Sequence, residues 1–150
     1  MANRQRLIAP RYGSVGQTLH LLRTVQFVML GSILLYAALA ELISPRARAV
    51  NPALSYMFST AAVAIVGIIF VLRRTLVFRS AESLALHPDD SLSLTHWKTG
   101  YIATYAFCEA LALFGLVLRF MGCTLQQSAP FYLGGLILLA FFAPRRPAAP

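Results

Sequence analysis

Glu109 is the acidic residue with the most chemistry open to it. It stands between Lys98 and Arg119, and no other charge occurs from Thr99 to Leu118. On a helix rising 1.5 Å per residue, its carboxyl falls roughly 15 Å from either boundary, near the centre of a bilayer core about 30 Å thick. A charge costs most at that depth. No Lys, Arg or His stands at a comparable depth in the other apolar runs, so desolvation should keep the group largely protonated at neutral pH. Two kinds of work suit such a residue. One is to bind and release a proton in transport or energy coupling. The other is to donate a hydrogen bond across a helix interface, worth about 0.6–2 kcal/mol. Ser32, Tyr36, Thr60 and the backbone of Gly134 and Gly135 are the groups expected near its depth.

The remaining reactive residue types do not converge. Cys108 and Cys123 are fifteen residues apart, roughly 22 Å along a helix and beyond disulfide reach. Cys108 and Glu109 are neighbours that point about 100° apart on a helix. His87, Asp89, Asp90 and His96 are metal-capable, but their spacing fits no ligand pattern, and Pro88-Asp89-Asp90 is ordinary turn chemistry. His20, His87 and His96 are expected at or beyond the cytoplasmic interface. The expectation is therefore a protein without metal or cofactor, and not an enzyme.

The elements that must position Glu109 follow from hydropathy. Hydrophobic residues make up 58% of the 150, charged residues 12%, and the mean hydropathy is +0.67, outside the range of soluble globular domains. The net charge of +8 comes from short arginine clusters at the edges of apolar runs, not from a stripe along one face, which argues against nucleic acid. The expected fold is an all-α membrane protein, a single domain over residues 1–150 with four transmembrane helices. The spans are residues 24–43, 53–72, 99–118 and 124–143. Trp97 and Tyr101 stand where an interfacial aromatic belt would be. The fourth span is the weakest in apolar length, and reaching Thr124 places Gln126 and Gln127 at the outer interface.

Lys and Arg are retained on the cytoplasmic side. One side takes Arg4, Arg6, Arg11, Arg23, Arg73, Arg74, Arg79, Lys98, Arg145 and Arg146; the other takes Arg46, Arg48 and Arg119. The double arginines Arg73-Arg74 and Arg145-Arg146, one closing each half of the chain, are the main topology determinants. Both termini and the loop over residues 73–98 should face the cytoplasm of a bacterial-type inner membrane. Residues 1–20 show no apolar periodicity and read as a basic tail. Ala47-Arg48-Ala49 resembles a cleavage site, but the apolar run before it exceeds the 7–15 residues usual in a signal peptide. In the loop, Ser80 suits the N-cap of a short helix stopped by Pro88.

Packing signals complete the expected compact antiparallel bundle. Ala103, Ala106 and Ala110 form a small-residue stripe beside Glu109, and Gly134-Gly135 lets a neighbouring backbone approach. Glu41, Arg46, Arg48 and Arg119 are expected to meet near the outer interface.

The run Glu109-Ala110-Leu111-Ala112-Leu113-Phe114-Gly115-Leu116-Val117 resembles the proton-carrying helix of the proteolipid subunit c of rotary ATP synthases and vacuolar-type ATPases. The resemblance implies that Glu109 is a proton-binding carboxylate and that residues 73–98 correspond to that family's polar loop. It covers nine residues. The second span carries Gly67, with Ser59, Ala61, Ala62 and Ala64, where that family has regularly spaced glycines. Three functional classes stay open: a subunit or accessory component of a larger membrane assembly, proton-coupled through Glu109; a stand-alone oligomeric carrier or channel; and a structural membrane protein without ligand. The expected partners are the lipid bilayer and either other membrane subunits or further copies of the chain.

Overall fold

A computed structural model describes residues 12–43, 52–87 and 90–145. Arg4, Arg6, Arg11, Arg46, Arg48, Pro88, Asp89 and Arg146 lie outside the described residues. The chain is helical throughout its ordered elements, which form four rods. The first is α1, Tyr12–Ile43. The second is α2, Pro52–Leu72, continuing without a break through a π-helical segment, Arg73–Phe78, into α3, Arg79–Leu86. The third is α4, Ser91–Phe120, and the fourth is α5, Leu125–Phe141.

Three rods are long and apolar enough to cross a membrane, over Val15–Ile43, Ala53–Leu86 and Ser91–Phe120. The fourth is shorter. The seventeen residues of α5 rise about 25 Å, against the 124–143 expected from hydropathy. Thr124 and Gln127 fix its start through a reciprocal capping box, with the Thr124 N–H donating to Gln127 Oε1 at 2.9 Å. Gln126 and Gln127 are exposed.

Two expectations are corrected at the other end of the molecule. Residues 1–20 are not a tail throughout, because α1 begins at Tyr12 and buries Leu19 and Leu22 in the same apolar cluster as Trp97 and Tyr101. The expected loop over residues 73–98 is helical at 73–86 and 91–98. Ser80 lies buried inside that helix and caps nothing. The N-cap is Asp90, which opens α4 eight residues earlier than the expected span.

The Asp90 carboxylate accepts the Leu92 N–H at 3.0 Å and the Ser93 hydroxyl. The Ser93 hydroxyl first, then the Leu92 amide, hold this carboxyl below the ordinary aspartate range. A group lowered in the folded state contributes its full stabilisation above its unfolded value, and that contribution is lost as pH falls through the lowered value. The first turn of α4 is therefore expected to loosen on acidification. Asp90→Ala should loosen it at every pH and remove the acid dependence, read as faster hydrogen exchange at the Leu92 and Ser93 amides.

The four rods are organised around α4, which touches every other element. Its contacting face carries Trp97, Gly100, Tyr101, Thr104, Tyr105, Cys108, Leu111, Ala112, Gly115 and Leu118, spaced three and four apart as one stripe of a helix must be. The closest partner is α5. A Cβ on Gly135 would stand 2.7 Å from the Cys108 carbonyl oxygen and 3.2 Å from Ala112 Cβ, and one on Gly115 would stand 3.0 Å from the Ser128 carbonyl oxygen. These glycines let two backbones meet, as small residues do in membrane bundles. The bundle is thus less even than expected. α1 and α2 share no substantial contact, and in the most apolar stretch of the α2 rod only 6% of the residues are buried.

Contacts also fix which ends lie together. Gln26 Nε2 donates to the Leu139 carbonyl at 2.8 Å, tying the first half of α1 to the end of α5. Phe70 packs edge-on against Phe142, and Arg145 N–H reaches the Tyr101 hydroxyl at 3.4 Å. The opposite end is closed by Glu41 and Arg119, paired at 2.9 and 3.2 Å. Arg119 also donates to the Cys123 carbonyl at 3.0 Å, across the α4–α5 turn. Arg23, Arg73, Arg74, Arg79, Lys98 and Arg145 thus belong to one end, and of the described basic residues Arg119 alone belongs to the other.

Candidate proton-binding site

Glu109 lies on α4 at the edge of its contacting stripe, turned toward α1 and half-buried. Tyr105 and Ala112, fully buried one turn away on either side, set the helix azimuth and so aim the carboxyl into the α1–α4 seam. On α1, Ile33 and Ala40 are buried against the core, and the same face brings Ser32 and Tyr36 to the seam one turn apart. The Tyr36 hydroxyl donates to Glu109 Oε1 at 2.8 Å. Ser32 Oγ stands 2.7 Å from the same oxygen and 2.9 Å from the Met29 carbonyl oxygen of its own helix.

A serine hydroxyl has one proton to donate, and this one has two acceptors within reach. With Glu109 ionised, the Ser32 and Tyr36 hydroxyls both donate to Oε1. With a proton on Oε1, the carboxyl donates to Ser32 Oγ, Ser32 turns its own hydrogen to the Met29 carbonyl, and Tyr36 keeps its bond. Rotating one hydroxyl keeps the bonds at Oε1 in both protonation states. An unpaired hydrogen-bonding group in an apolar seam costs roughly 1–3 kcal/mol, so a pair of hydroxyls that serves Oε1 in either state suits proton exchange. No cation competes here: among the described residues the ion pair is Glu41–Arg119, ten residues beyond Glu109 on α4 and nine beyond Ser32 on α1.

Of the residues expected around Glu109, Ser32 and Tyr36 meet it and Thr60 does not. Thr60 is exposed on α2 and donates to the Tyr56 carbonyl at 2.9 Å. Gly134 and Gly135 pack on Leu111, Cys108 and Ala112, so they serve the α4–α5 contact and not the carboxyl. Of the alanine stripe, Ala106 is exposed and Ala103 and Ala110 are half-buried. The small residues that carry close approach are Gly100, Cys108, Ala112 and Gly115. Glu41 and Arg119 do meet, at the end of the bundle that holds the α4–α5 turn.

A second polar centre was not anticipated from the sequence. Arg73, expected as a topology determinant, is buried with 9% exposure. Its guanidinium lies 4.1 Å from the Phe142 ring centroid, 5.4 Å from that of Tyr101 and 5.7 Å from that of Phe78. Arg74 and Arg145 are exposed. The π-helical segment starts at Arg73. It presses on α4 where Gly100 leaves room, since a Cβ there would stand 2.8 Å from Val77 Cγ2 and 2.9 Å from Leu76 Cβ. The Thr75 hydroxyl covers carbonyls that the wider turn loosens, at 2.9 Å from Val71 O and 3.4 Å from Leu72 O. A sequence signal for this centre existed in the aromatic residues Phe78, Tyr101 and Phe142, but their convergence depends on the π segment.

No protein-family model, curated protein or solved structure matches this chain.

Proposed function

We propose that this chain is a multi-pass component of a larger inner-membrane assembly that binds and releases a proton at Glu109. The observation that carries the reading is the Ser32–Glu109–Tyr36 cluster, a carboxyl within a membrane-length helix with two hydroxyls on one oxygen and a hydroxyl rotor that serves that oxygen in either protonation state. An intramembrane carboxylate is by default a candidate for proton relay. The local resemblance of residues 109–117 to the proteolipid helix supports the same role. In this reading both termini and the α3 end lie in the cytoplasm, supported by the basic residues gathered there. The exposed apolar flanks of α1 and α2 face lipid or partner subunits.

Hydrophobic carbodiimides attack protonated carboxyls in apolar surroundings, which makes them the direct test. Membranes holding the intact protein are labelled across roughly pH 6–9, the range around neutral where a proton-exchanging group operates, and the modified residue is located by peptide mass. Labelling at Glu109 that fades as pH rises is the expected result. An unlabelled Glu109 would leave the cluster a packing contact and remove the proton-coupled role. Flux into vesicles of the purified protein separates the assembly component from a stand-alone oligomeric carrier, which alone would support flux without partners.

A further inference from the structure

Arg73 carries more unmet hydrogen-bonding capacity than any other buried side chain described here. A guanidinium has five N–H donors and no acceptor. Its Nη1 is fully shielded and has no hydrogen-bond partner, and no described carboxylate pairs with it. The rings of Phe142, Tyr101 and Phe78 offer attraction to the charge, but π faces leave the fork of donors unmatched. Buried arginines are ordinarily paired, because an isolated buried charge is costly. The surroundings add positive charge: Arg145 is joined to Tyr101 through its backbone N–H, and Arg74 is the next residue. One wall of the cage opens outward: Phe78 is 57% exposed, while Phe142, in the turn that follows α5, is buried in the core.

We propose that this cage binds a phosphate group, of the kind an anionic phospholipid head presents at the cytoplasmic face. The planar guanidinium fork matches two phosphate oxygens, and basic pockets between membrane helices on that face take such head groups. The π-helical segment is what turns Arg73 into the α2–α4–α5 junction, so the site belongs to the fold and not to a mobile surface chain. This assignment is independent of proton exchange at Glu109.

Native mass spectrometry of the full-length protein in an uncharged detergent tests it, with phosphatidylglycerol and phosphatidylcholine at matched concentrations. Wild type should retain phosphatidylglycerol about tenfold more tightly, equivalent to about 1.4 kcal/mol. Arg73→Gln should lose that preference, while Arg74→Gln, changed at the exposed neighbour, keeps most of it. Trp97 is the chain's single tryptophan and stacks edge-on against Tyr101 at 5.2 Å, so its fluorescence should shift saturably with phosphatidylglycerol and locate the binding. Inorganic phosphate that reverses the shift would make the ligand a free oxyanion; failure to reverse it would make the ligand the lipid, and both keep the phosphate site. Equal retention of the two lipids by wild type would overturn the proposal. So would equal losses in the Arg73 and Arg74 variants, which would mark unspecific surface charge. Should Arg73→Gln not fold, Arg73→Lys keeps the charge but not the fork, and the wild-type comparison still decides.

Discussion

Glu109→Gln is expected to abolish carbodiimide labelling and proton exchange while leaving the bundle assembled. The glutamine amide has the shape of the protonated carboxyl. With its amide oxygen where Glu109 Oε1 stands, it can accept from both the Tyr36 and the Ser32 hydroxyls, as the ionised carboxylate does. What it cannot do is ionise. Glu109→Leu removes the same chemistry and both interhelical bonds, leaving the Tyr36 hydroxyl without its acceptor while Ser32 falls back on the Met29 carbonyl. Interhelical hydrogen bonds in membranes are worth about 0.6 kcal/mol on average and up to about 1.7, so the leucine variant should lose roughly 1–3 kcal/mol, concentrated in the α1–α4 contact. Reversible unfolding in mixed detergent measures the stability of each variant, and labelling together with flux through the parent assembly measures the chemistry. A glutamine variant as unstable as the leucine variant would reduce Glu109 to a packing residue. One that still supports flux would move the proton elsewhere.

The largest structural effect is expected at Gly135. Its α-carbon meets the Cys108 carbonyl so closely that even a methyl group would stand 2.7 Å from that oxygen. The neighbour is helix backbone and cannot swing aside. Overpacking a tight contact costs typically 1–3 kcal/mol, and Gly135→Leu adds three further carbons to that overlap, so the upper end of the range or beyond is expected. Gly31 and Gly67 provide the internal control, since a Cβ at either has nothing within 4 Å. Gly31→Ala and Gly67→Ala should be neutral or slightly stabilising, because alanine is the better helix former. Unfolding midpoints of the three variants check the contrast, and similar losses in all three would remove the assigned role of the α4–α5 contact.

The apolar runs were legible because crossing a bilayer demands length and hydropathy, which composition displays directly. The meeting of Ser32 and Tyr36 with Glu109 was legible too, because residues at matching positions along the apolar runs come together. Azimuth was not. The α2 run is apolar on nearly every side, so nothing in it says which face turns inward, and Thr60, expected at the depth of Glu109, does not share its seam. The turns that extend α1, α3 and α4 beyond the apolar runs are polar on their outer faces. Their helical character rests on the Asp90 cap and on burial of Leu19, Leu22, Leu84 and Trp97. Ala103, Ala106 and Ala110 had the right composition for close packing, but α5 docks on the face that includes Cys108 and Ala112. The cage around Arg73 was hidden most deeply, because it requires one extra residue in a helical turn and a glycine on the neighbouring helix to receive it.

The central place of α4 bears on the order in which the protein can assemble. α1 and α2, which emerge first from the ribosome, share no substantial contact with each other. Neither finds its native neighbour until α4 has been made. The earliest stable tertiary unit is therefore the α4–α5 hairpin, joined by a short turn and pressed together at Gly115 and Gly135. α1 then closes against that hairpin and completes the hydrogen bonds to Glu109. During synthesis the first half of the chain waits without its native partners, and the native structure grows backward from the last-made helices.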